Sequence, residues 1–216
     1  MLKPFVLATI AVLMTTLCLA QEIVFLPNVQ KPRLETKTSV FDYLLSMHID
    51  TANCYFINED KVDRTLDQTL GMPVLMIFDK EGNQLEYTTT KKGCVNPAFQ
   101  LSTLDSRHKY KLDTLNTLPG YMGNYTSYNA QPAHVDQEVD FTALIFWVKF
   151  LGTYDNNEKV RDWEQILKKN KSIKVRIVKV NMDAQQSWSP KYQDAHLAVL
   201  TAIYKAVKPF ETIKID

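Results

Sequence analysis

Apolar residues along this chain fall into two dense blocks separated by a stretch with no sustained period. In the first block Glu22 to Leu26 reads as a short strand. The positions Val40, Phe41, Leu44, Leu45 and Met47 follow helical spacing behind Thr38 or Ser39 as the cap. Cys54 to Ile57 reads as a short buried strand and Lys61 to Leu70 as a polar helix with Val62, Leu66 and Leu70 on one face, stopped by Gly71-Met72-Pro73. Val74 to Phe78 is the clearest strand of this half. Asp79 to Asn83 turns the chain, with Gly82 free to take positive φ, and Gln84 to Thr89 returns as its hairpin partner.

The second block opens with Phe141 to Phe150, a continuous apolar run too short to cross a bilayer and suited to a central strand. Lys159 to Asn170 predicts an amphipathic helix with Val160, Trp163, Ile166 and Leu167 turned inward. Val175 to Val180 predicts a strand buried on both faces, Ala195 to Val207 a helix with Leu197, Leu200 and Ile203 as its stripe, and Phe210 to Ile215 a closing strand. Strand, helix and strand over 141–183 make a parallel β-α-β unit, which places the fold in the α/β class. Between the blocks, 97–140 scatters Tyr110, Tyr121, Tyr125 and Tyr128 among polar and turn residues. It reads as a connector or a cap interrupted by a short helix within Thr114 to Tyr125.

The N-terminus changes the picture of compartment. Lys3, an apolar run from Phe5 to Leu19 and the small residue Ala20 have the layout of a secretory signal over residues 1–20, leaving a domain at 21–216 with no membrane span. The expected location is therefore periplasmic or extracellular. The whole chain has 25 basic and 24 acidic residues, for a net charge of +1, and loss of Lys3 leaves 24 against 24. No basic field exists for a nucleic-acid backbone. Export also leaves two of the three cysteines, Cys54 and Cys94, in an oxidising space, where a disulfide between them is the leading expectation and two separate thiols the alternative. A bridge would close a loop of about forty residues, worth about 3–4 kcal/mol.

Phe146-Trp147-Val148-Lys149-Phe150-Leu151-Gly152-Thr153-Tyr154 resembles the thioredoxin active-site segment, in which an apolar strand ends in Phe-Trp and runs into Trp-Cys-Gly-Pro-Cys. Leu151 and Tyr154 stand where that family carries its two cysteines. Gly71 to Asn83 is similar to the segment of thioredoxin and TlpA-like redoxins in which a cis-proline, here Pro73, introduces a hairpin with Asp-x-x-Gly in its turn. The resemblance implies a thioredoxin-like mixed sheet flanked by helices, with its halves at 21–96 and 141–216 in reversed order. Either the halves are permuted pieces of one domain or they are degenerate copies joined by 97–140.

The family's chemistry needs a thiolate at a helix N-terminus and a resolving thiol one turn away. Leu151 and Tyr154 supply neither. The resemblance thus implies the fold without the dithiol reaction, and a protein or peptide bound around Met72, Pro73, Phe150, Leu151, Gly152 and Tyr154. Two rival readings are a thiol-dependent oxidoreductase or peroxidase-like enzyme using Cys54 or Cys94, and a structural interaction protein of the cell envelope. His48, His108, His134 and His196 never pair at metal-ligand spacing and read as surface residues, so no metal or cofactor is expected. Asp79 and Asp183 read as turn caps at strand ends, and Tyr154 and Trp188 as aromatics left for contact.

Overall fold

A computed structural model describes residues 29–62, 73–89, 95–97, 100–128, 138–152 and 157–207. The signal segment, the strand at Glu22 to Leu26, most of the helix at Lys61 to Leu70, Met72, Cys94, Tyr154 and the closing strand lie outside these residues.

Seven strands form one mixed sheet: β1 (Cys54–Ile57), β2 (Val74–Asp79), β3 (Asn83–Leu85), β6 (Leu112–Thr117), β7 (Tyr125–Ser127), β8 (Phe141–Trp147) and β9 (Val175–Asn181), in the spatial order β6-β3-β2-β8-β9-β1-β7. Strands β4 (Tyr87–Thr89) and β5 (Val95–Pro97) pair separately as a ribbon. Among the described residues four α-helices flank the sheet: α1 (Lys37–Ser46), α2 (Leu118–Met122), α3 (Glu158–Lys169) and α4 (Pro190–Val207).

Strand β8 is the hinge of the arrangement. Its seven residues are all buried, because neighbours cover both edges and helices cover both faces. On one edge it runs parallel to β9, with Phe141 opposite Val175 and Trp147 opposite Asn181. On the other it runs antiparallel to β2, with Val74 opposite Phe146 and Asp79 opposite Phe141. The two sequence blocks therefore share one mixed α/β sheet, in which the β8–β9 pair of the second block lies between β2 and β1 of the first, with β1 running parallel to β9.

Alternation along β8 divides the core. Phe141, Ala143, Ile145 and Trp147 pack with Val40 and Leu44 of α1 and Val160 and Leu167 of α3. Leu144 and Phe146 pack on the other face with Leu118 and Met122 of α2 and Leu200 of α4. Full burial of one such side chain contributes about 1.5–3 kcal/mol.

Several local expectations are corrected. Helix α1 is capped by Thr36 through a capping box with Ser39, so Thr38 lies inside the helix. The return strand stops at Leu85, and Tyr87 to Thr89 joins the separate ribbon. The short helix of the middle stretch exists as α2. Its flanks, however, are β6 and β7, the two edge strands of the sheet, so 112–127 is built into the sheet. Edge strands are short and half-solvated, which is why their pattern is weak. Gly82, at φ 85°, closes the β2–β3 turn, and a Cβ there would come within 3.3 Å of Pro119 Cδ. Among the described residues no helix is long and apolar enough to cross a membrane.

Candidate functional site

The parallel strands β8 and β9 end side by side, and in open α/β sheets the carboxyl ends of such strands are where ligands are bound. Here that end is built from polar side chains of four segments. After Trp147 the chain makes a 3₁₀ turn, Lys149–Leu151, and leaves it through Gly152 at φ 78°, a conformation that favours glycine. After Asn181 the β9 strand runs on through Asp183 to Gln185. An extended strap at 29–36 crosses both: Gln30 N donates to Phe150 O, Glu35 N to Ala184 O and Gln186 N to Glu35 O, each at 2.8 Å. Helix α1 then follows directly from the strap, bringing Ser39 and Tyr43.

Charge at this end is buried and paired. Glu35, 5% exposed, accepts from Lys149 Nζ at 2.7 Å, from Arg33 Nε at 2.9 Å and from Ser39 Oγ. Burial alone would raise its pKa, but the hydrogen bonds from Lys149, Ser39 and Arg33 outweigh burial and hold it below the usual carboxylate value. Asp183, 2% exposed, accepts from the Lys149 backbone N–H and from Asn181 Nδ2, both at 2.7 Å. Burial pushes its pKa up to about 6 against these bonds. Lys149 thus fastens Glu35 with its ammonium and Asp183 with its backbone.

Around this charged centre lie amides with unfilled capacity. Gln185 Nε2 donates to Asn181 Oδ1 at 3.1 Å and to Asp183 O at 2.8 Å, while its Oε1 has no partner. Asn157, just before α3, donates from Nδ2 to Gly152 O at 2.7 Å and to Tyr43 Oη at 2.6 Å, while its Oδ1 has none. Trp147 stacks on Tyr43 with centroids 6.0 Å apart, and its Nε1 is also unpartnered. His196, on α4, is fully buried and reaches Met182 O through Nε2 at 2.7 Å, leaving Nδ1 alone. A carbonyl only accepts, so Nε2 carries the proton. These four orphans gather at one end of the sheet, whereas the fifth among the described residues, Gln84 Oε1, lies on β3 near the other end, and such a concentration of buried polar groups without partners is uncommon enough to mark the site.

The residues singled out from sequence are distributed unevenly over this end. Gly152 belongs to it through its carbonyl, and half-buried Pro73 precedes Val74, the register partner of Phe146, so it stands at the same end of the sheet. Phe150 and Leu151 are 4% and 6% exposed and pack into the core beside Val148 and Met182. Met72 and Tyr154 are outside the described residues. Asp183 is not a solvated turn cap but a buried carboxylate, whereas Asp79 does cap its turn, accepting from Asn83 N at 2.7 Å. Trp188 is 8% exposed and His196 is buried, so neither lies at the surface. Both are covered because α4 lies over the chain that follows β9, and Trp188 meets the His196 ring edge-on. Glu35, Lys149, Asn157, Asn181 and Gln185 were missed. The signal available was Asn181-x-Asp183-x-Gln185, a polar alternation continuing past the end of an apolar strand.

Cys54 is a free, buried thiol on β1, and Cys94, its expected partner, is outside the described residues. Burial pushes the Cys54 pKa up to about 12, against the nearby Lys179 charge. It packs in the core on the α1–α3 face, whereas Leu151 packs in the core on the α2–α4 face. The described thiol is therefore shielded from solvent and packs across the sheet from the turn at Lys149–Leu151. Alkylation of native protein followed by peptide mapping should leave Cys54 unmodified, with full labelling only after unfolding. Rapid native labelling would contradict this placement.

Among the described residues no group of three or more His, Cys, Asp or Glu side chains could hold a metal ion. No protein-family model matches the chain, and no curated protein and no solved structure matches it either.

Proposed function

We propose that this chain is an exported, redox-inactive binding module of thioredoxin-like type, whose partner is a protein or peptide engaged at the carboxyl ends of β8 and β9. One observation carries the reading. The turn that would present a thiol instead folds Leu151 into the core, and buried amides with unfilled hydrogen-bond capacity surround it. Among its described residues such an end presents no thiol but has donors and acceptors able to recognise a peptide backbone. Half-buried Pro73 and the outer part of Lys149 form its accessible edge, and Gly152, Gln185, Phe150 and Leu151 lie buried beneath it. The N-terminal signal layout supports an extracytoplasmic location. The buried Cys54 thiol weakens the rival reading of a thiol-dependent enzyme acting through that residue.

The wild-type protein should not reduce insulin disulfides in dithiothreitol faster than the uncatalysed rate. In ¹⁵N-resolved titrations with neutral extended peptides, amides of Lys149 to Gly152 and of Gln185 should shift saturably. Catalysed insulin reduction would overturn the redox-inactive assignment. Titrations that move no residue at this end would overturn the binding assignment.

A further inference from the structure

Helix α4 carries a buried imidazole on its inner face. His196 is fully enclosed. Its Nε2 donates to Met182 O, just past β9, at 2.7 Å, and its Nδ1 has no partner. Gln193 ties the first turns of the helix to the segment just ahead of it, donating to Gln186 O at 2.9 Å and to Trp188 O at 2.7 Å. His196 reaches past that segment to the end of the sheet. The Trp188 ring meets the imidazole edge-on with centroids 5.5 Å apart. Met182, Trp188 and Leu200 belong to the same apolar cluster as Val178 and Val180 of β9.

These surroundings accept the neutral ring alone. A second proton would go to Nδ1, leaving a buried N–H without an acceptor and a charge among apolar groups. The charges nearest in the chain and in space are engaged elsewhere. Past β9, the Asp183 carboxylate accepts from Lys149 N and Asn181 Nδ2, and Glu59 accepts from Ser189 N in the turn before α4. On α4 itself Lys191 and Asp194 are exposed. The titratable side chains of the cluster are phenols, those of Tyr55, Tyr121, Tyr125, Tyr192 and Tyr204. Burial holds the imidazole pKa below its ordinary 6.5, against the hydrogen bond to Met182, and no charged side chain among the described residues contributes.

We propose that His196 makes the docking of α4 acid-sensitive: when Nδ1 takes up a proton the ring leaves its pocket, α4 lifts from the sheet, and the apolar face of β9 carrying Val178 and Val180 is uncovered. Undocked, the imidazole takes its second proton at the ordinary value, whereas the docked ring takes it only at lower pH. The undocked population therefore rises about tenfold between pH 7.5 and pH 5.5. Asp183 acts in the opposite sense over this range, since its raised pKa favours the folded form at lower pH. The loosening is consequently local to α4 and is not a loss of the whole fold.

Amide hydrogen exchange of the intact protein, corrected for the intrinsic pH dependence of exchange, tests this. Protection of α4 should fall about tenfold from pH 7.5 to pH 5.5 relative to α3. His196→Gln keeps a donor for Met182 O and cannot take the second proton, so its α4 protection should be equal at the two pH values. Constant α4 protection in the wild type, or an equal fall in the variant, would overturn the proposal. Should the variant fail to fold, ¹⁵N spectra of the wild-type imidazoles decide, with exposed His48 and His108 as reference signals. Protonation of His196 in step with the loss of α4 protection supports the proposal, and protonation with α4 still protected overturns it.

Discussion

Replacing Glu164 by alanine is expected to lower the unfolding free energy by about 3–5 kcal/mol, the range for stranding one member of a buried ion pair. Glu164 sits on the inner face of α3 at 3% exposure, and Lys179 rises from β9 beneath it at 1%. The Lys179 ammonium meets Glu164 Oε1 at 3.1 Å. Lys168, one turn further along α3, reaches the same oxygen at 3.0 Å and bridges outward to Asp50 at 3.0 Å. The second Glu164 oxygen accepts from the Asp50 backbone N–H at 3.3 Å. Removing the carboxylate leaves the Lys179 ammonium in an apolar core with no counter-charge, whereas exposed Lys168 can turn to solvent. The double replacement Glu164→Leu with Lys179→Met removes both charges and should recover most of the loss. Urea unfolding of the three proteins measures it. A single variant within 1 kcal/mol of wild type would show that water reaches the pair.

The second large effect concerns pH. Asp183 has a folded pKa of about 6, above its ordinary 3.8, chiefly through burial. The folded protein therefore holds this proton over a range in which the unfolded chain has released it. Its contribution to stability is complete below about pH 4 and is lost as pH rises through about 6, to a total of roughly 3 kcal/mol. Glu35 acts in the opposite sense. Its pKa is lowered from 4.5, so the stability it supplies is present above that value and is lost as pH falls below it. The charged and titratable groups around Asp183 come from three elements: Lys149 from the turn after β8, Glu35 from the strap and Tyr43 from α1. Asp183→Asn keeps an oxygen to accept from Lys149 N and Asn181 Nδ2 while removing the titration. Wild type should lose stability between about pH 4 and pH 6.5 and level off above that, and the variant should lose markedly less and be the more stable of the two at pH 8. Urea midpoints at four pH values decide this, and parallel curves for the two proteins would refute the assignment to Asp183.

The polar hub and the ion pair differ in how far the chain discloses them. Glu164 lies at the third position after Arg161 in a run whose apolar residues are Val160, Trp163, Ile166 and Leu167, so helical spacing alone turns Ile166 inward. The structure buries Val160, Glu164 and Leu167 and leaves Ile166 37% exposed. Lys179 is the reason: a charge already within the core draws its partner onto the inner face. Neither burial is intelligible without the other, and they are fifteen positions apart on different elements.

What the sequence determines by itself is local and periodic. The segments at 74–78, 141–147 and 175–180 had to be covered on both faces, so they became the central strands, while the rest of the expected strand to Phe150 turned into the 3₁₀ turn. The spacing at 40–47 and 195–207 had to become helices with one buried stripe, and Asp79 to Asn83 had to turn. That Val74 to Phe78 shares a sheet with the strand opening at Phe141 was implied by two complementary motifs, whereas the place of β1 on the far side of β9 was not. Tertiary structure decided what depends on groups far apart in the chain. Polar edge strands β6 and β7 acquire their identity only from the neighbours they pair with. Glu35, Lys149, Asp183 and Gln185 become a buried hub only because the strap at 29–36 crosses the ends of β8 and β9. Hydrophobic periodicity reports which face is covered, whereas a buried charge is stable only beside its partner, and that partner's position is set by the fold.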